Sequence, residues 1–230
     1  LAETAMEKTR VINEIYKSYI SRDISQLLKI DKLDVFESLV KVLAGQIGGI
    51  LNYSEISSTL GTSSATIKNY LYYLENTFIL KLLPPFFKNA RKEITKSPSV
   101  YFYDQGMRNF ALGVFGNLSR PDELGFLFQN FVWGELHEKI RYSNIKLNYW
   151  RTKDKAEVDF VLSAADKITP IEAKYQTLGH LAIEKSLRSF IDKYHPTKAI
   201  VVNKDFKNDT TLDSTIVDFI PFWELLNWQF

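Results

Sequence analysis

The chain has 230 residues, 45% hydrophobic and 24% charged, with a formal net charge of +2 at pH 7. These proportions exclude a disordered tract, and the length allows one large domain or two modest ones. The chain has no cysteine and three histidines. That excludes disulfides, iron–sulfur clusters and thiolate zinc sites, so any metal is expected to be Mg²⁺ or Mn²⁺ held by carboxylates.

No apolar run approaches the ~18 residues that a membrane span needs. The start, "LAETAMEKTR", has no apolar core of a signal peptide, so a cytoplasmic chain without membrane contact is expected. The missing initiating Met raises the expectation that the chain is part of a longer protein. The small net charge does not by itself argue for nucleic acid, and basic character has to be judged locally.

Residues 1–45 predict amphipathic helices. Ile12, Ile15, Tyr19 and Ile20 recur at helical spacing, and "DVFESLVKVLAGQIGG" repeats the pattern before ending on glycine. From Leu51 two short helices are expected around Gly61, with Ser54 capping the first and Ser63 or Ser64 the second. The second has an apolar face of Ile67, Tyr70 or Leu71, and Leu74. This is a helix-turn-helix pattern. The β-favouring run that follows, interrupted by the basic loop "KNARKEITK", reads as two strands forming a wing. Residues 46–104 are therefore expected to be a winged helix, and 105–120 a glycine-punctuated connector.

From 121 to 230 the predicted order is α-β-β-β-α-β-β, a mixed sheet with helices against it. The whole chain is thus expected to be α+β. Within "AEVDFVLSAADKITPIEAKYQ" two strands surround a polar turn. If Ala165–Asp166 is the hairpin centre, Asp159 lies opposite Glu172, and Lys174 shares the face of Glu172. Opposed Cβ atoms would be ~5 Å apart, close enough for both carboxylates to hold one divalent cation. Lys174 could then hold a water or stabilise a phosphoryl oxygen. Metal-assisted phosphodiester hydrolysis needs this combination. Upstream, Glu135 falls in the apolar stripe of Leu124, Leu127, Phe128 and Phe131, where a carboxylate is costly unless paired or metal-bound. A solvated hairpin face, with Glu135 in an ion pair at the core edge, is the plainer alternative.

In the second helix of the helix-turn-helix, Ser64, Thr66, Lys68 and Asn69 lie off the apolar face, where they could reach base edges and phosphates. Arg91 and Lys92 in the wing would add backbone contacts. A winged helix that mediates only protein contacts is the alternative.

These segments together resemble a known family, the C-terminal region of archaeal and bacterial AAA+ type ATPases that carry the DUF4143 domain. "YISRDISQLL", "ILNYSEISSTLGTSSATIKNYLYYLENTFILKLLPPFFKN", "KSPSVYFYDQGMRNFALG", "GFLFQNFVWGEL", "YWRTKDKAEVDFVL" and "IEAKY" carry the resemblance, in order along nearly the whole chain. It implies a winged helix followed by a restriction-endonuclease-like, PD-(D/E)xK fold. Glu135 matches the Glu of the Glu-Leu pair, Asp159 the Asp of Glu-Val-Asp-Phe, and Glu172 with Lys174 the Glu-x-Lys. Gln129 stands where the helix motif usually has Glu, which weakens the metal site if that Glu is a ligand.

The resemblance implies Mg²⁺- or Mn²⁺-dependent hydrolysis of DNA phosphodiesters, with Asp159, Glu172 and Glu135 as metal ligands and Lys174 polarising the water. Its alternative is an inactive nuclease-like fold serving as a DNA- or protein-binding output module. No G-x-x-x-x-G-K-[ST] occurs, so ATP is expected only in an absent N-terminal half. The implied partners are double-stranded DNA and that ATPase half, against which residues 1–45 would dock. Further copies of the chain stay open as a third.

Overall fold

The computed structural model describes residues 4–24, 32–87, 96–116 and 121–228. The chain divides into two units, one of residues 1–82 and 100–123, the other of 83–99 and 124–230. The fold is α+β, with helices, a two-stranded sheet and a mixed six-stranded sheet. Among the described residues, no helix is long and apolar enough to cross a membrane.

In the first unit, helix α1 (Ala5–Tyr16) starts at a capping box, in which Thr4 and Glu7 satisfy each other's backbone N–H groups. It runs on as a π-helical segment, Lys17–Ile24. Helix α2 (Leu33–Ala44) buries Phe36, Leu39, Val40 and Leu43, the face that its apolar spacing predicts. Helices α3 (Tyr53–Thr59) and α4 (Ser64–Asn76) follow. Asn52, rather than Ser54, caps α3 by accepting from the Glu55 N–H at 3.3 Å. Ser63 caps α4, accepting from Thr66 N–H at 3.0 Å. The turn between them places Gly61 at φ +59°, which a side chain would resist. Strands β1 (Leu80–Leu83) and β2 (Ser99–Phe102) pair into the small sheet.

Helix α5 (Gln105–Ala111) lies in the stretch read from the sequence as a connector, and it is tied into the first unit. Asp104 caps it, accepting from Met107 N–H at 2.6 Å. A Cβ on Gly106 would meet that carboxylate at 2.9 Å, so the cap requires glycine there. Arg108 is only 3% exposed. Its Nε donates to the Ala44 carbonyl at 2.7 Å, and a terminal nitrogen donates to Asn109 Oδ1 at 2.8 Å. A cation thus closes the C-terminal end of α2, where the helix dipole favours it.

In the second unit, helix α6 (Pro121–Ile140) leads into strands β3 (Lys146–Arg151), β4 (Glu157–Ala164) and β5 (Lys167–Ala173). Helix α7 (Lys185–Tyr194), strand β6 (Lys198–Asn203), β7 (Asn208–Leu212), β8 (Thr215–Pro221) and the short α8 (Phe222–Leu225) complete it. The sheet order is β3-β4-β5-β6-β8-β7. β3, β4 and β5 are antiparallel, β6 is parallel to both β5 and β8, and β7 is antiparallel at the edge.

β7 has no counterpart in the sequence reading, because "NDTTL" is a solvent-facing edge strand without apolar alternation. α7 begins at Lys185, after the irregular stretch 174–184. The residues after β1 belong with this unit for a visible reason. Tyr149 of β3 donates its N–H to Pro84 and accepts from Phe86 N–H. Phe86 then packs with Trp150, Phe190 and Val201 in the core. Each fully buried side chain such as Phe190 stabilises the unit by about 2–3 kcal/mol.

Candidate active site

The β4–β5 hairpin sets the site. Its paired residues run from Ala164 with Lys167 to Phe160 with Ile171. This register, set by the expected turn at Ala165–Asp166, ends there. Asp159 follows in a β4 bulge opposite Tyr149 of β3, and its carboxylate reaches the backbone of β5 just beyond Glu172. Ala165 adopts φ +50°, so the turn forms without the glycine that usually marks it. On the other side Glu172 is in register with Val201 of β6.

Asp159 is half-buried and held at both oxygens. Oδ1 accepts from Gln129 Nε2 at 2.8 Å and Oδ2 from Ala173 N–H at 2.8 Å. Glu172 is 3% exposed. Its Oε2 lies 3.5 Å from Lys174 Nζ, while Oε1 is buried with no hydrogen-bond partner. Lys174 also pairs with Glu184 Oε1 at 2.9 Å. Glu172, Lys174, His180, Glu184, Leu187 and Val201 line a cleft of about 210 Å³. Arg151 and Glu157 form a separate pair at 2.8 Å.

Burial disfavours the charged form of both carboxyls. Asp159 is pushed up to about 6 by burial, against the Ala173 N–H and Lys174, which favour its anion. Glu172 is raised well above the usual carboxylate range by burial and by the Asp159 charge, with Lys174 opposing. Burial alone would lower the Lys174 ammonium, but Glu172, Glu184 and Asp159 outweigh it and its pKa is raised. Two carboxyls driven upward beside a held cation form the arrangement that a divalent ion would relieve.

The structure does not bring Glu135 to this cluster. It lies six residues beyond Gln129, about 9 Å farther along the helix and about 120° around it. Among the described residues, no group of three or more His, Asp or Glu side chains has the arrangement of a metal cage. Gln129 occupies the place by Asp159 that the sequence reading gave to Glu135. The physical reason lies in α6 itself. Leu127, Phe128, Asn130, Val132, Trp133 and Leu136 are all buried, so the helix is covered around most of its circumference. An apolar stripe then gives little direction.

In α4, Ile67, Tyr70, Leu71 and Leu74 are buried as expected. Ser64 Oγ lies 3.2 Å from Ser57 Oγ, and Thr66 Oγ1 lies 2.9 Å from the capping Ser63 Oγ, so both hydroxyls are engaged internally. Lys68 and Asn69 are exposed, with Lys68 Nζ 5.4 Å from the centre of the Tyr53 ring. Arg91 and Lys92 lie outside the described residues.

Two family models match the chain. A domain of unknown function, DUF8612, matches residues 1–118, more than half of its length. The chain belongs to the DUF8612 family. A second domain of unknown function, DUF4143, matches residues 124–225 and so coincides with the sheet unit and its carboxylates. The DUF8612 portion covers the helices and the small sheet, and includes the Asp104–Arg108 motif.

An uncharacterized protein of Haemophilus influenzae is 24% identical over 231 residues, covering 98% of this chain and 54% of the relative. An uncharacterized protein of Mycobacterium tuberculosis is 26% identical over 174 residues, covering 75% of this chain and 38% of the relative. The chain therefore spans about half, or less, of the length of these curated relatives.

Proposed function

We propose that the DUF4143 unit is a nuclease-like domain that uses Mg²⁺ or Mn²⁺ to hydrolyse DNA phosphodiesters. One observation carries the reading: the Asp159 carboxylate docks on the Ala173 N–H next to Glu172, with Lys174 ion-paired to Glu172. The donor set fits a hard cation. It offers only carboxylate oxygens, one of them, Glu172 Oε1, buried and unpartnered. Mg²⁺ characteristically uses one or two carboxylates and completes its shell with waters and substrate phosphate. When bound, the cation would supply Lewis acidity and positive charge at a scissile phosphate.

The chain's own residues supply the rest. The Gln129 amide and the Ala173 N–H fix the orientation of Asp159. Lys174 places an ammonium where charge would develop on a phosphoryl oxygen. The buried sheet beneath Glu172 keeps water from its inner side. Plasmid DNA carrying a single-stranded gap, incubated with Mn²⁺, tests this reading. Cleavage is expected from the wild type and not from Asp159→Ala or Lys174→Ala, and cleavage that survives in both variants would sink the assigned mechanism.

Gln129 favours a second reading, in which the site has kept its geometry without activity and the unit serves in binding. A carboxamide supplies Asp159 with a donor and brings no third negative charge. Gln129→Glu separates the two readings, since gain of Mn²⁺-dependent cleavage by this variant alone supports the second.

For the first unit, the reading is a winged helix that places α4 against double-stranded DNA. Lys68 and Asn69, both exposed, would make the contacts. Mobility shift of duplex DNA should weaken for Lys68→Glu and fall with salt. In the longer protein that the relatives' lengths imply, these units would serve as the output region of an AAA+ type ATPase.

A further inference from the structure

Around α6 and α8 the second unit carries a run of aromatic rings that the proposed chemistry does not use. Phe128 and Tyr175 lie 5.5 Å apart between ring centres, Phe128 and Phe222 6.2 Å, and Phe222 and Trp223 5.3 Å. Phe128 is buried and anchors the run. Tyr175, Phe222 and Trp223 are 40%, 36% and 46% exposed. Three large rings held half out of water in one connected ledge are more than scattered surface apolar residues.

The ledge shares α6 and the end of β5 with the site. Phe128 precedes Gln129, whose amide reaches Asp159, and Tyr175 follows Lys174. Its charges favour an anion. Lys204 Nζ stands 5.0 Å from the centre of the Tyr175 ring. Lys139 donates to the Leu226 carbonyl and Lys207 pairs with Glu224. Against these lysines stand Glu224 and Asp205, the latter accepting from the Thr177 hydroxyl. Half-exposed rings with ammonium groups at their margin are the means by which proteins hold nucleic acid strands whose base faces are free.

The geometry points to a stacking platform for unpaired bases: Tyr175, Phe222 and Trp223 hold a single-stranded segment, Lys204 meets its backbone, and the adjoining strand passes the Asp159–Glu172 site. This deepens the nuclease-like reading and rests on it for the role of that site. It narrows the substrate to nucleic acid with a single-stranded portion, because within duplex the base faces are stacked on one another and unavailable to protein rings.

The test is binding of a fluorescent oligothymidine by the full 230-residue chain, measured by anisotropy in EDTA beside an abasic oligomer of equal length. The thymidine oligomer should bind more tightly than the abasic one. Trp223→Ala and Tyr175→Ala should each weaken it about ten-fold, while Trp223→Phe stays within about three-fold of wild type. Lys204→Ala should reduce the slope of log affinity against log salt by about 0.7. Equal binding of the two oligomers, or an unchanged Kd in Trp223→Ala with its fold intact by circular dichroism, overturns the platform. So does self-association by light scattering that Trp223→Ala abolishes, since the ledge then seats a second copy. Because EDTA removes cleavage from the readout, base-dependent binding without any Mn²⁺-dependent cleavage would sink the nuclease reading and leave the platform standing.

Discussion

Arg108 and Glu172 are each 3% exposed, and the protein treats the two buried charges in opposite ways. Arg108 in the first unit closes the end of a helix, its donors directed to the Ala44 carbonyl and Asn109. Glu172 in the second unit keeps one oxygen without a partner, faces the Asp159 carboxyl, and is driven toward its neutral form. A buried ion given hydrogen-bond partners contributes to stability. One left open to a cleft stores an electrostatic penalty that a ligand can relieve. The two segments look alike in sequence, as charges among apolar residues, and only their partners tell structure from site.

Substitution should separate them. Arg108→Met strands the Ala44 carbonyl and removes the cation from the helix end. It is expected to lose about 3 kcal/mol in urea unfolding, and a loss under about 1 kcal/mol would break the comparison. Gln129→Glu adds a third carboxylate beside Asp159. It should destabilise the metal-free protein by about 1–2 kcal/mol, with Mn²⁺ restoring the midpoint of thermal unfolding.

Glu172→Gln should go the other way and stabilise the protein at pH 7 by about 1 kcal/mol. The sign follows from the raised carboxyls. Asp159 and Glu172 bind protons more tightly folded than unfolded, so wild-type stability falls as pH rises from about 4 through about 6 and beyond. Near pH 4 both states are largely protonated, and the advantage of Glu172→Gln should vanish there. Thermal unfolding of both proteins across this range checks it. The smallest effect belongs to the hairpin turn. Ala165→Gly relieves φ +50° and should stabilise by about 0.5 kcal/mol, leaving the site unchanged.

The hairpin shows what the sequence made legible. A turn centred at Ala165–Asp166 was legible and matches the pairing from Ala164–Lys167 to Phe160–Ile171. Strand alternation fails at Asp159–Phe160, where a bulge puts Val158 into the same core as Val161 and both faces of β4 are buried. The helix capped by Ser63 and its apolar face were equally readable. Gln129 was visible as a departure from a motif but not as the residue that touches Asp159. Which turn of a long helix meets a strand end depends on packing, and α6 is apolar on too many sides to reveal it. Glu184 escaped for a related reason. It lies just before α7 rather than inside it, and it reaches Lys174 from an irregular stretch. Nothing in the sequence marked Arg108 as buried, since its acceptor is a carbonyl 64 residues away.

Calorimetric titration of the metal-free protein with Mn²⁺ addresses the central claim most directly. The wild type should bind one ion at the hairpin, and Asp159→Ala and Glu172→Ala should each abolish that binding while Glu135→Ala leaves it intact. Equal Mn²⁺ binding by wild type, Asp159→Ala and Glu172→Ala would contradict the assignment of this carboxylate pair as a metal site.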